Sequence, residues 1–182
     1  MNLDFLNDYW LTCMTQEGIS SNKHFISLDK CLISEIESPG IREDPIKTMY
    51  RGTKRWDMHF PQKEIAIEYK SISEHIGASV CHRTDEAIGS AIDLKHLNPD
   101  YKLGYLLVFA VKNKIEMNPI NRAISAFDKM VKNNIYDYFC PLLTYGKDNH
   151  EELSTDYTFE RFITEIKNKK ETNINPLFFC LE

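Results

Sequence analysis

Apolar residues recur along residues 3–14 at helical spacing, with Leu3, Phe5, Leu6, Tyr9, Trp10 and Cys13 on one stripe. Residues 27–37 repeat the pattern with Leu28, Cys31, Leu32 and Glu35 on one face, and Pro39-Gly40 ends it. The period then changes. Residues 55–60 and 64–72 alternate polar and apolar positions, and the turn between them holds Pro61 and polar residues, as a β-hairpin does. Residues 84–97 predict a helix with Thr84 at its N-cap and Ala87, Ile88, Ala91, Ile92 and Leu94 inward. The nearly unbroken apolar run over 103–111 predicts a strand buried on both faces, so Leu106, Val108 and Phe109 read as core. A helix over 123–133, a strand over 136–145 and an amphipathic helix over 157–169 follow. Pro141 predicts a bulge or an edge position in that last strand. The order predicts an α/β fold, with a mixed central β-sheet flanked by α-helices.

The hairpin places chemistry. In a strand, alternate residues share a face. Trp56, Met58 and Phe60 fall on one face of the first strand, and Arg55, Asp57 and His59 on the other. On the second strand Ile65, Ile67 and Tyr69 oppose Ala66, Glu68 and Lys70. A four-residue loop, 61–64, keeps the apolar faces together by pairing Phe60 with Ile65 and Met58 with Ile67. The same register sets Asp57 opposite Glu68, with Cβ atoms roughly 5 Å apart. Two adjacent carboxylates repel, and a divalent cation between them relieves the repulsion. Mg²⁺ takes one or two carboxylates and completes its shell with waters and phosphate oxygens. Lys70 points into the same cleft, where its ammonium can hold an attacking water or stabilise developing negative charge. These are the parts of a phosphodiester-hydrolysing site. The E-x-K tripeptide alone is weak, because an acid and a base two residues apart are common on solvated strands.

Composition bounds the partners. At 182 residues the chain suffices for one domain, and 42% hydrophobic with 27% charged residues reads as globular. No apolar run approaches bilayer length, which argues against a membrane partner. The start, Met1-Asn2-Leu3-Asp4-Phe5, lacks the basic region of a signal peptide, so the expected compartment is the cytoplasm. Cys13, Cys31, Cys81, Cys140 and Cys180 are an odd number, widely spaced and without a C-x-x-C pair, which excludes a zinc ribbon and favours reduced thiols. The net charge of −5 counts against nucleic acid as a whole-chain property. Between Arg42 and Arg83, however, basic residues outnumber acids, and the run Arg51-Gly52-Thr53-Lys54-Arg55 leads straight into Asp57.

The stretch Tyr50-Arg51-Gly52-Thr53-Lys54-Arg55-Trp56-Asp57-Met58, then Ile67-Glu68-Tyr69-Lys70-Ser71, then residues 82–94 with Arg83-Thr84-Asp85-Glu86-Ala87-Ile88-Gly89-Ser90-Ala91-Ile92-Asp93-Leu94, resembles the XhoI family of type II restriction endonucleases. That family shows R-P-T-K-x-W-D, E-x-K-S and N-R-T-E-E-A-x-G-S-A-x-D-L at these places. Asn134-Ile135-Tyr136-Asp137 and Phe159-Glu160-Arg161-Phe162 are similar to it as well, so the resemblance spans roughly residues 50–169. It implies a restriction-endonuclease-like fold of the PD-(D/E)XK type with a catalytic hairpin. It also implies cleavage of double-stranded DNA at a short palindrome with Mg²⁺ (or Mn²⁺ as substitute), by a homodimer. Asp57, Glu68 and Lys70 match the catalytic positions, with Asp57, Glu68 and the Tyr69 backbone carbonyl holding the metal. The chain departs from the family at Gly52, where the family has proline, and its N-terminal region is shorter. One domain is expected, with an N-terminal helical part over 1–49, the nuclease core over 50–170 and a tail over 171–182.

Further candidates carry open readings. Glu86 and Glu35 are candidate outer metal ligands or plain surface acids. Glu86, Ser90 and Asp93 share a helix face, and small Gly89, Ser90 and Ala91 would let that helix approach the sheet. Arg51, Lys54, Arg55 and Arg83 are expected on DNA phosphates, and His59 and His82 on solvent or phosphate. The segment around Leu177, Phe178 and Phe179, or the N-terminal helices, would supply a dimer contact. Two other functions stay open: a nuclease of relaxed specificity, as a defence effector or repair enzyme, and a non-catalytic DNA-binding module on the same fold.

Overall fold

The computed structural model describes residues 3–14, 23–73, 76–112 and 117–171, and the apolar run predicted as a buried strand forms the middle of its sheet. In chain order the elements are α1 (Phe5–Met14), α2 (Phe25–Ile36), β1 (Ile41–Thr48), β2 (Gly52–Phe60), a 3₁₀ turn (Pro61–Lys63), β3 (Ile65–Ile72) and α3 (Ile76–Leu97). After these come β4 (Lys102–Ala110), α4 (Met117–Lys132), β5 (Tyr138–Thr144), β6 (His150–Glu152) and α5 (Phe159–Asn168). The strands form one six-stranded sheet in the order β1-β2-β3-β4-β5-β6. β3, β4 and β5 run parallel, and the outer pairs are antiparallel. The architecture is therefore α/β with a mixed open sheet flanked by helices.

Each face of the sheet buries its own cluster. On one, Leu6 and Tyr9 of α1, Leu28 and Leu32 of α2, and Phe162 and Ile166 of α5 cover Ile67, Tyr69 and Leu106. On the other, Ala87 and Leu94 of α3 and Ala123 and Phe127 of α4 cover Ala66, Tyr105 and Leu107. β4 is buried at every position from Leu103 to Ala110, the expected consequence of helices on both faces. Pro141 lies inside β5, paired with Leu107 of β4, at the end of the β6 pairing: its carbonyl accepts from the Leu153 N–H at 3.1 Å, and the return bond is the one its missing N–H omits.

Three expectations are corrected. The N-terminal part is not wholly helical: β1 begins at Ile41 and adds an edge strand inside the 1–49 region. Its sequence, Ile-Arg-Glu-Asp-Pro-Ile-Lys-Thr, hides the strand, because an edge strand tolerates Pro45 and exposes most of its residues. The third helix starts at Ile76, so Thr84 is no N-cap; its hydroxyl donates to the Val80 carbonyl at 2.8 Å. Gly89 does not ease packing on the sheet. Ser90 and Ala91 are the buried small residues, and a Cβ at Gly89 would meet only the Arg51 guanidinium, at 3.8 Å. Cys13, Cys31, Cys81 and Cys140 are free thiols. Cys180 and residues 177–179 lie outside the described residues.

Candidate active site

The predicted pairing of Met58 with Ile67 and of Phe60 with Ile65 is present, but the predicted Asp57–Glu68 pair is not formed. Beyond Met58 the β2–β3 ladder stops, and an unpredicted event follows. Met58 and Phe60 pack in the α1–α2–α5 cluster, whereas Trp56 packs in the α3–α4 cluster beside Ile46. Alternation alone would keep Trp56 on the face of Met58. The switch falls at Asp57 and at Glu43, which the β1–β2 ladder skips and which has left-handed backbone with φ 51°. Both strands turn over together there, and the far half of the hairpin folds onto α3. β2 thus parts from β3 at Asp57, and the carboxylate replaces the lost ladder bond. The Tyr69 N–H donates to Asp57 Oδ2 at 2.9 Å. The Tyr69 carbonyl lies on the same edge of the strand as its N–H and so faces the opening.

Glu68 is on the α3–α4 side of β3 and only 2% exposed. Lys70 Nζ lies 3.0 Å from one of its oxygens, and Lys54 Nζ lies 3.1 Å from the other. The Tyr136 hydroxyl donates to the oxygen bearing Lys54 at 3.2 Å. Lys70 also reaches Glu86 at 3.4 Å, and Glu86 receives a 2.7 Å bond from Arg83. A cleft of about 280 Å³ opens beside this cluster, lined by Asp57, Lys70 and Arg83 together with Cys13 of α1 and His24 and Phe25 at the start of α2.

Electrostatics separates the groups. Burial pushes Asp57 up to about 6, against the pull of Lys70 and the Tyr69 N–H. Burial alone would lower Lys70, but Glu68, Asp57 and Glu86 together leave it above an ordinary lysine. Lys54 moves the other way, because burial outweighs what Glu68 returns. Glu86 ends below an ordinary glutamate: burial raises it, and the Arg83 bond and Lys70 more than reverse this. Lys70 is therefore a fixed positive charge, and Asp57 a carboxylate still short of positive charge.

Asp57, Glu68, Lys70, Glu86 and Arg83 are brought together. Other candidates are not. Lys54 is no surface phosphate contact: its side chain is 13% exposed, turned inward onto Glu68 and 4.2 Å from the Trp56 ring centre. Arg51 lies across α3, 3.8 Å from Asp93. Arg55 is exposed. His59 is buried and bonded to Asp44 and the Tyr101 hydroxyl, which makes it structural rather than a solvent or phosphate contact. His82 stays at the surface. From α2 it is Asp29, not Glu35, that reaches the strand, accepting from the Tyr69 hydroxyl at 2.8 Å and pairing with Arg42 at 3.1 Å. Burial raises Asp29, and the Tyr69 and Arg42 contacts oppose this.

Among the described residues no three His, Cys, Asp or Glu side chains are grouped to hold a metal. Mg²⁺ does not need three. Asp57, with no hydrogen bond to its second oxygen among the described residues, the Tyr69 carbonyl and Glu68 are hard oxygen donors of the kind it takes. The residues fit such an ion, with Asp57 first and Glu68 shared once an ammonium gives way. No helix among the described residues is long and apolar enough to cross a membrane. No family model, curated protein or solved structure matches the chain.

Proposed function

We propose that the chain is a magnesium-dependent nuclease that hydrolyses phosphodiester bonds of double-stranded DNA. The observation that carries this reading is the break between β2 and β3. It turns Asp57 toward the Tyr69 backbone, near Glu68 and Lys70, in the lining of an open cleft. Asp57, Glu68 and the Tyr69 carbonyl would hold the ion. Mg²⁺, or Mn²⁺ in its place, supplies an acidified water and a counter-charge for the phosphate. Arg83 lines the cleft and Arg55 stands on β2 two residues before Asp57, so both can hold phosphate oxygens. The Lys70 ammonium keeps its proton. It orients the attacking water, which gives its proton to solvent, and stabilises the charge that builds as the new P–O bond forms and the leaving P–O bond breaks, the departing oxygen taking a proton from solvent. Glu86, clamped by Arg83, holds Lys70 in place from the α3 side.

The finer reading is a sequence-specific type II restriction endonuclease acting in the cytoplasm as a homodimer on a palindrome, and it rests on the motif resemblance. A two-fold target needs two active sites. Digestion of mixed plasmid DNA with Mg²⁺, followed by sequencing of the ends, tests both levels. One recurrent site at the ends supports the finer reading, and unrelated ends support a nuclease of relaxed specificity. Asp57→Ala and Lys70→Ala should each slow single-turnover cleavage by about 10²-fold or more. Wild-type rates in both would remove the hairpin as the active site.

A further inference from the structure

The far half of the hairpin, Pro45 to Trp56, contains Lys47, Arg51, Lys54 and Arg55 and no Asp or Glu, in a chain of net charge −5. Its inner face is spent on α3, with Ile46, Thr48 and Trp56 buried. Its outer face is open. The ladder pairs Lys47 with Thr53 and Pro45 with Arg55, so Lys47 and Arg55 are diagonal neighbours on that face, about 7–8 Å apart. Neither makes an ion pair with any described residue. Several cations elsewhere are matched: Lys95 and Lys102 share Asp137, Lys132 holds Asp128, and Arg161 holds Glu165. Two unmatched like charges side by side are a local cost that a polyanion would relieve.

The tip is exposed and also fixed. Met49 and Tyr50 are 50% and 71% exposed. The Tyr50 N–H donates to Asp93 Oδ1 at 2.6 Å, the Met49 N–H to the Asp93 carbonyl at 3.2 Å, and the Asn98 side chain to the Lys47 carbonyl at 2.9 Å. Their backbone is pinned to α3, so presenting these side chains needs little ordering on binding.

We propose that this hairpin is a groove-engaging ribbon for duplex DNA, with Lys47 and Arg55 on backbone phosphates and the Met49–Tyr50 tip in the major groove. The inference rests on the nuclease reading and adds how its substrate is held. The B-form major groove, about 12 Å wide, admits a two-stranded ribbon. Facing away from α3, the outer surface is on the side of the sheet where α1 and α2 wall the cleft. Arg55 precedes Asp57 by two strand residues, a rise of about 7 Å, so a strand held by Arg55 runs toward the carboxylate.

The test is anisotropy of the full chain on a random-sequence DNA duplex and on the same duplex as RNA, in Ca²⁺, from 50 to 200 mM salt. The Lys47→Ala/Arg55→Ala double variant should bind DNA about tenfold more weakly, with a salt slope smaller by about 2. The wild type should prefer DNA, because the deep, narrow A-form major groove excludes side chains. Met49→Ala/Tyr50→Ala should keep the salt slope and lose that preference. An unchanged slope in the cation variant, or equal wild-type affinity for the two duplexes, would overturn the proposal. Cleavage by Asp57→Ala is scored separately, so loss of the catalytic assignment and loss of the ribbon are distinguishable.

Discussion

β3, β4 and β5 are covered by helices on both faces, whereas the far half of the β1–β2 hairpin is covered on one face and open on the other. The parallel strands are consequently apolar almost throughout, and β4 is buried from Leu103 onward. The hairpin instead alternates buried Ile46 and Thr48 with exposed Pro45 and Lys47. Asp57 sits where the two kinds of sheet meet, at the point where β2 leaves β3. A backbone donor that a continuous ladder would consume becomes available there to hold a carboxylate. The rigid half supplies Glu68 and Lys70 at fixed spacing, and the departing half opens the space beside them.

The contrast is sharpest in tolerance to added volume. Gly104 lies on β4, and a Cβ there would stand 3.0 Å from the Phe162 ring and 3.3 Å from an Ile67 side-chain carbon. Gly104→Val should cost about 3 kcal/mol through overpacking, read as a fall in urea midpoint at constant slope. Lys47→Ala on the open hairpin face should stay within about 0.5 kcal/mol of wild type. Equal losses at the two positions would erase the distinction between a jigsaw centre and an open ribbon.

The same division explains what the sequence made legible. β3 and β4 follow from alternation and from the apolar run, and the Met58–Ile67 pairing follows from keeping apolar faces together across a four-residue loop. β1 was not legible, because Arg42-Glu43-Asp44-Pro45 has no alternation to read and its pairing comes from a partner strand. Lys54 looks like a phosphate contact in the sequence because the face switch at Glu43 and Asp57 leaves no trace in residue type: a left-handed glutamate has no sequence signature. Helical spacing does not distinguish Asp29 from Glu35, because the choice depends on how α2 is rotated over β3. Tyr136 was visible as part of Asn134-Ile135-Tyr136-Asp137, but nothing in that string shows its hydroxyl reaching Glu68. Gly52 adopts φ 75°, which a proline cannot, so this turn could not carry the proline of the motif it resembles.

Lys54 tests the junction from the hairpin side. It is the hairpin's one cation turned toward the parallel centre, and it occupies an oxygen of Glu68 that a metal ion would share. Lys54→Met keeps the stem packed under Trp56 and removes the charge. Mn²⁺ affinity, followed by electron paramagnetic resonance, should then rise about tenfold, equivalent to about 1.4 kcal/mol. Unchanged or weaker binding would remove Glu68 from the proposed ion site.

The smallest expected effect concerns Asp57 itself. An aspartate in an unfolded chain titrates near 3.9, and burial holds Asp57 at about 6 in the folded protein. Between these values the folded chain keeps a proton that the unfolded chain releases. Stability contributed by the protonated form is therefore complete below about pH 4 and is lost as pH rises through about 6. Asp57→Asn keeps an oxygen for the Tyr69 N–H and never ionises. It also takes a partner from Lys70, which reduces the gain, so the variant should exceed wild type by about 1 kcal/mol at pH 7.5. At pH 4 the two should coincide. All other titrating groups are common to both proteins and largely cancel in the difference, which isolates position 57. Added Mg²⁺ should then raise the wild-type denaturation midpoint at pH 7.5 and leave the variant's nearly unmoved, because the ion stabilises a carboxylate whose charge the fold leaves under-compensated. If wild type is the more stable protein at pH 7.5 without metal, the ionised carboxylate is already satisfied by Lys70 and the Tyr69 N–H, and the junction has no unmet need for a cation.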